Sequence, residues 1–354
     1  MRDKHIHIAE DSALLKLLYK KVEGSIVPDK AKFTRQLLVK FIFYFGAMIA
    51  GYRAIVVTKS TSLFLLAFVF YGFAVLLFAF NFSHDFSHNT IFRNKKLNHF
   101  CFVLIYAIIG AHGEAWKQRH IQSHHYAPNV QDYDSDLNIT TLIRVIPGSK
   151  YYWFHRFQHW YAPFAYMTYS LYWIFIKDIV ILYSKDDFVK GKNFGYHFSF
   201  WIQKIFYVVL ILVIPILYSQ QEWYFVLVGF LLMHLLQSIF LLFTFFMTHH
   251  VESTAYPSTD KNGYINASWL MNQVKSSNDM HPFSKTANFI LGGFNNHIAH
   301  HLFPQYHHVY YPELNKILYK TLRDHKIIPN QTSYWGGIVS HLRLLKRMSR
   351  PEAA

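Results

Sequence analysis

Four long apolar runs punctuate the chain, at about Leu37–Val57, Ser62–Phe82, Trp201–Ser219 and Tyr224–Met247. A bilayer core takes roughly 20 residues of helix to cross, so each run is expected to be a transmembrane helix. The links inside the two pairs are "TKST" and "QQEW". Links that short allow only an immediate return, which predicts two helical hairpins. The polar blocks before, between and after the hairpins then share one side of the membrane. This divides the chain into an N-terminal segment, 1–36, a membrane domain, 37–325, and a basic C-terminal tail, 326–354.

Two weaker apolar stretches do not fit that template. "FCFVLIYAIIGA", Phe100–Ala111, has twelve residues, a length typical of a re-entrant, interfacial or buried segment. Phe164–Tyr183 is rich in Tyr and Trp but interrupted by Lys177 and Asp178, which predicts a helix lying in the membrane interface.

Composition supports a multi-pass membrane protein. Of 354 residues, 52% are hydrophobic and only 16% charged, well on the membrane side of soluble averages. The net charge of +15 is spread along the polar blocks instead of gathered in one patch. It therefore argues for cytoplasmic anchoring beside anionic lipid and against a nucleic-acid partner. The first 36 residues show no secretory signal, and a bacterial inner membrane or endoplasmic reticulum location is expected. The single cysteine, Cys101, excludes an intrachain disulfide and is expected to be packing.

The polar blocks carry the chemistry. "HDFSH" sets His84 and His88 four apart, "RHIQSHH" holds His120, His124 and His125, and "HIAHH" holds His297, His300 and His301. Helical residues four apart share a face, so each cluster can aim at least two imidazoles at one point. Three such clusters on one membrane face predict a shared metal site. They also require that Phe100–Ala111 not span, or the first two clusters would face opposite sides. Neutral imidazoles suit Zn, Cu, Fe or Ni, but eight exceed the four ligands of one tetrahedral zinc, so two metals are implied. Iron fits oxygen activation, and an iron centre at the membrane surface would make a lipid chain the substrate.

The set HxxxH, HxxxHH and HxxHH, with the flanks "HHYAPNVQDYDSDL" and "HHLFPQYHHVYYPELNKI", resembles the integral-membrane fatty acid desaturases over about residues 37–325. The resemblance implies an all-α fold of four spans, with a cytoplasmic helical cap carrying the histidine boxes around two ferrous ions. It implies O2 as oxidant and electrons from an external donor, a ferredoxin or a cytochrome b-class haem protein. The reaction expected is insertion of a double bond into an acyl chain carried on lipid, CoA or a carrier protein. Front-end desaturases usually carry Gln at the first position of the third box and often a fused haem domain marked "HPGG"; here that position is His297 and no "HPGG" occurs. A lipid hydroxylase on the same scaffold is the nearest alternative. A metal transporter is a more distant one, since its polar groups should lie deep inside the spans, where only His234, Gln237 and Ser238 interrupt an apolar interior.

In "THHVE" the resemblance favours His249 as a ninth ligand, because related chains often carry His at the start of an "HxVE" stretch. Projection of the fourth span at about 100° per residue puts His249 nearer than His250 to the side bearing His234, Gln237, Ser238, Thr244 and Thr248. His250 is expected to face outward or meet lipid headgroups. "DYDSD", Asp132–Asp136, lacks the Gly and distal Glu of a calcium loop and is expected to be a solvated loop. Trp116, Lys117, Gln118 and Arg119 suit contact with a lipid or thioester headgroup or anchoring in the interface, and Arg343, Lys346, Arg347 and Arg350 a basic face at the lipid surface or a donor-docking patch. His155, His159, His307 and His308 are expected to be non-ligands.

Overall fold

The computed structural model describes residues 4–26, 29–137, 140–185 and 188–351. Regular β-structure among them is confined to Asp279–Met280 paired in parallel with Gln331–Thr332; the rest of the regular structure is helical. The chain divides into two compact units. One comprises Ala31–Gln118 and Pro163–Leu242; the other comprises Met1–Lys30, Arg119–Ala162 and Phe243–Ala354.

The first unit holds the apolar helices. Ala31–Val57, Thr61–Ser87, Phe194–Tyr218 and Trp223–His249 are each long and apolar enough to cross a membrane; the last runs on into the other unit. Each contains one of the four expected runs, apart from Ser219, which follows Tyr218. Leu38, Ile42, Phe43, Leu63 and Leu66 are more than half exposed, an arrangement costly in water and neutral against hydrocarbon.

Two further helix pairs are bent. Lys95–Ile109 and Gly113–His124 meet at 114°, and Trp153–Met167 and Tyr169–Tyr183 at 65°; counting each pair as one crossing would give six spans. The sharper bend has a local cause. Gly110 ends its helix at φ +83°, a region that favours glycine, and a Cβ there would lie 2.6 Å from the Tyr207 ring. Its carbonyl accepts Lys204 Nζ at 2.7 Å. The same ammonium donates to Asp178 Oδ2 at 2.6 Å, and Asp178 also accepts His112 N–H at 2.7 Å and Trp173 Nε1–H at 3.0 Å. Asp178 is thus buried at 2% exposure, not turned to interfacial water as its place in the sequence suggests. A buried carboxylate is tolerable when its charge and lone pairs are matched, and here they are.

A second polar node lies inside the fourth apolar helix. His234 is fully buried, with Nδ1 2.7 Å from Ser170 Oγ and Nε2 2.6 Å from Tyr207 OH. Ser238 Oγ accepts Ser170 N–H at 3.0 Å and lies 2.6 Å from Ser170 Oγ. Both ring nitrogens are therefore occupied by partners from other helices.

The second unit has its own core. The helix Ala9–Ser25 buries Leu14, Leu18 and Val22, spaced four apart on one face. They pack in one cluster with Leu314, Leu318 and Leu322 of Tyr311–Asp324 and with Ile298, Leu302 and Phe303. At about 1.5–3 kcal/mol per buried aliphatic side chain, this cluster seats the short helix His297–Leu302 firmly. Residues 326–351 include a second amphipathic helix, Tyr334–Met348, whose buried side holds His341, Leu344, Leu345 and Met348. Arg343, Lys346, Arg347 and Arg350 stay exposed. The Arg144 guanidinium donates to the Met348 and Arg350 carbonyls at 3.0 and 3.1 Å, satisfying acceptors that a helix C-terminus leaves open.

Candidate metal centre

Within the second unit, His124, His249, His297 and His301 each offer a ring nitrogen, and these four atoms lie within 4.8 Å of one another. All four residues are buried. They come from three stretches: a π-helical turn His120–His124, the end of the helix Trp223–His249, and the short helix His297–Leu302, which supplies two. A π-helical turn re-aims side chains that a regular α-helix would spread, and such turns cluster at functional sites.

The choice of ligand atom follows from what the other nitrogen does. His124 Nδ1 lies 3.2 and 3.1 Å from the two oxygens of Asp134. His249 Nδ1 lies 2.8 Å from the Ser276 carbonyl oxygen, and His301 Nδ1 2.8 Å from Gln273 Oε1. Each of these acceptors fixes the proton on Nδ1 and leaves Nε2 with its lone pair. His249 Nε2 and His297 Nε2 stand 2.7 Å apart, a distance at which facing lone pairs repel unless a proton or cation stands between them. His301 Nε2 is buried without a hydrogen-bond partner. These residues fit a cation that accepts neutral imidazole nitrogen. Burial, then the neighbouring imidazoles His125, His297, His124 and His249, hold His301 well below the usual histidine range, so it is neutral as a ligand must be.

His120, His125 and His300 adjoin this group. His300 stacks on His120 at 5.9 Å between centroids, His125 Nε2 lies 3.1 Å from His120 Nε2, and the His125 ring is 4.6 Å from that of His301. His300 Nδ1 is 3.2 Å from Tyr311 OH. Seven of the nine expected ligands thus form one assembly in this unit, buried except for the half-buried His125. His84 and His88 belong to the other unit, where their rings meet edge to face at 5.2 Å. His84 opens the helical turn after the π-helical stretch Ala79–Ser83, and Trp116 packs 6.3 Å from its ring. Burial pushes His88 down to about 4.

Two expectations are corrected. His250 is buried, not outward-facing; its Nδ1 lies 2.9 Å from Tyr256 OH, and burial lowers it to about 3. "DYDSD" is not a wholly solvated loop. Asp132 is exposed, but Asp134 is buried at 1%. Burial works against its ionisation, and the His124 imidazole with the Asn129 N–H overcomes that, holding the carboxyl below its ordinary range.

Sequence reasoning also missed two supporting residues. Asn129, at φ +60°, donates to the carbonyls of His249, Ala255 and Ser276, tying the second box to the end of the helix that carries His249. Asp279 accepts Ile298 N–H at 2.9 Å and Tyr319 O–H at 2.9 Å, anchoring the first turn of the third box; burial pushes it up to about 7 against those hydrogen bonds. Asn129 follows the second box closely enough to have drawn notice. Asp279 carries no local pattern.

The profile of the fatty acid desaturase family matches residues 60–333. The chain is 28% identical over 292 residues to the sn-1 linoleoyl-lipid 6-desaturase of Arthrospira platensis, covering 80% of this chain and 78% of that one. It is 27% identical to the acyl-lipid (8-3)-desaturase of Physcomitrium patens, with 89% and 67% of the two chains covered. It is 26% identical to the probable Delta(5) fatty acid desaturase C of Dictyostelium discoideum, with 91% and 72% covered.

Proposed function

The chain belongs to the fatty acid desaturase family, and from that premise we propose how this membrane oxidoreductase works on its acyl chain. The nine histidines, His84, His88, His120, His124, His125, His249, His297, His300 and His301, are the metal ligands. Two ferrous ions are bound, one of them by His124, His249, His297 and His301. Bound iron would supply the O2 activation that attack on an unactivated C–H bond requires. The observation that carries this reading is the set of buried imidazoles whose Nδ1 atoms are engaged elsewhere while their other nitrogens converge.

The chain's own residues do the rest. Burial holds His88 and His301 below the usual histidine range, and exclusion of water from a buried site protects a strong oxidant from side reactions. Trp116, which packs on Phe102 and Tyr106, lies 6.3 Å from the His84 ring and offers an apolar face along which methylenes can lie. The acyl chain is carried on a lipid, as the names of the relatives suggest. One O2 takes two electrons and two protons from adjacent methylenes and two of each from outside, leaving a double bond and two waters. The outside electrons come from a ferredoxin or a cytochrome b-class haem protein. The spans form two hairpins in the bacterial inner membrane or endoplasmic reticulum, with the histidine site on the cytoplasmic side, where the positive-inside tendency puts the basic blocks.

Expression in a host of simple lipid content, followed by gas chromatography and mass spectrometry of total fatty acids, tests the reaction. A new double bond is expected, with the 5- and 6-positions named for two relatives the first to examine. A hydroxylated product without a double bond would overturn the reading in favour of hydroxylation.

A further inference from the structure

The segment Asp132–Asp136 carries three carboxylates on alternate residues, and the fold treats them differently. Asp132 is exposed and accepts Thr259 Oγ1–H at 2.9 Å. Asp136, with its side chain 37% exposed, comes no nearer than 3.9 Å to His124 Nδ1. Asp134 sets both oxygens against that nitrogen, at 3.2 and 3.1 Å.

The Asp134 carboxylate cannot easily swing away. Oδ2 also accepts Asn129 N–H at 2.9 Å and Oδ1 accepts Asp136 N–H at 3.0 Å. The loop is closed by Ser123, whose Oγ donates to the Tyr133 carbonyl and accepts Ser135 N–H, both at 2.6 Å. Ser123 sits directly before His124, so ring and carboxylate are fixed from the same short stretch. Elsewhere in the assembly the Nδ1 partners of His249, His301 and His300 are a carbonyl, an amide oxygen and a hydroxyl, all neutral.

We propose that Asp134 is a positioning residue that sets the iron affinity of the site containing His124. Its charge-assisted bond holds the proton on Nδ1 and presents the Nε2 lone pair. The full negative charge makes this imidazole a stronger donor than one bonded to a neutral partner. It also offsets, in a buried site, part of the charge of a divalent ion surrounded by neutral ligands. This inference rests on the proposal that His124 ligates iron.

The test is ferrous-ion affinity of the purified full-length protein, measured anaerobically by chelator competition, with the Mössbauer spectrum of the loaded protein and the unfolding midpoint of the metal-free protein. Asp134→Asn should bind iron roughly 10–100-fold more weakly, the range for such partners. One iron should show altered quadrupole splitting, while the metal-free midpoint stays near wild type. Asp134→Glu, which keeps the charge, should lose less affinity than Asp134→Asn; Asp136→Asn should lose little, and Asp132→Asn nothing. Wild-type affinity and spectrum in Asp134→Asn would overturn the proposal, as would equal losses in Asp132→Asn and Asp134→Asn, which would signal diffuse electrostatics. Should Asp134→Asn fail to fold, Asp134→Glu carries the test: an affinity loss with altered splitting is expected, and a wild-type spectrum contradicts it. If the wild-type protein itself binds no iron, the functional reading fails and not this refinement of it.

Discussion

His234 and His301 are both fully buried histidines, yet their ring nitrogens are engaged differently. His234 has Ser170 on one nitrogen and Tyr207 on the other, so nothing remains for a metal. His301 has Gln273 on one nitrogen and nothing hydrogen-bonded to the other. Burial is common to both; the difference is which nitrogens are already engaged. A saturated imidazole is a pin between helices, and its loss should damage folding. A half-saturated one in a converging group can serve as a ligand, as we propose for His301, and its loss should then damage metal binding.

The largest expected effect attacks the ligand side. His301→Ala or His249→Ala should abolish product, a loss exceeding the roughly 100-fold typical of outer partners, and should lower iron per chain, while His250→Ala keeps both. Product analysis and elemental iron on matched membranes decide this; near-normal turnover in His301→Ala would break the comparison.

The next effects lie on the pin side. Asp178→Ala strands Lys204 in a buried setting and should cost about 3–5 kcal/mol of stability, as broken buried ion pairs do. His234→Ala leaves the Tyr207 and Ser170 hydroxyls short of a partner, at about 1–3 kcal/mol for each orphaned group. Both should lower the unfolding midpoint in detergent without weakening ferrous affinity in the protein that remains folded. An iron defect in His234→Ala at unchanged midpoint would erase the distinction.

The most gradual effect is a pH slope. Folding raises the Asp279 carboxyl from 3.8 to about 7, so between these values the folded state holds a proton that the unfolded state has released. That contribution to stability is complete below the unfolded value and falls by about 1.4 kcal/mol per pH unit until it levels off near the folded one. Metal-free wild type should therefore lose stability relative to Asp279→Asn as pH rises towards 7. A difference between the two that does not change with pH would show that Asp279 is ionised throughout.

The legible part of this protein is what local spacing encodes. Runs of roughly 20 apolar residues announced the four long helices, and HxxxH, HxxxHH and HxxHH announced the boxes, because both signals are complete within one stretch of chain. What escaped is what tertiary contact decides. Gln273 stands 28 residues before the His301 it holds, and Ser276 acts through a backbone carbonyl, which leaves no side-chain signature. Asp178 looked like an interfacial charge because its partner Lys204 lies on a different helix. Asp134 was in view but indistinguishable from Asp132, since alternate carboxylates look alike until folding turns one inward. Gly110 was visible only as a glycine closing an apolar run, and the ring of Tyr207 that forbids a side chain there is nearly a hundred residues away.

Ferrous iron content per chain, measured side by side on His301→Ala and His234→Ala after anaerobic loading and removal of excess metal, tests the central claim most directly. Wild type and His234→Ala should hold iron near two per chain, and His301→Ala clearly less. Equal iron in the two variants, or a deficit confined to His234→Ala, would contradict the assignment of the converging histidines as the metal site.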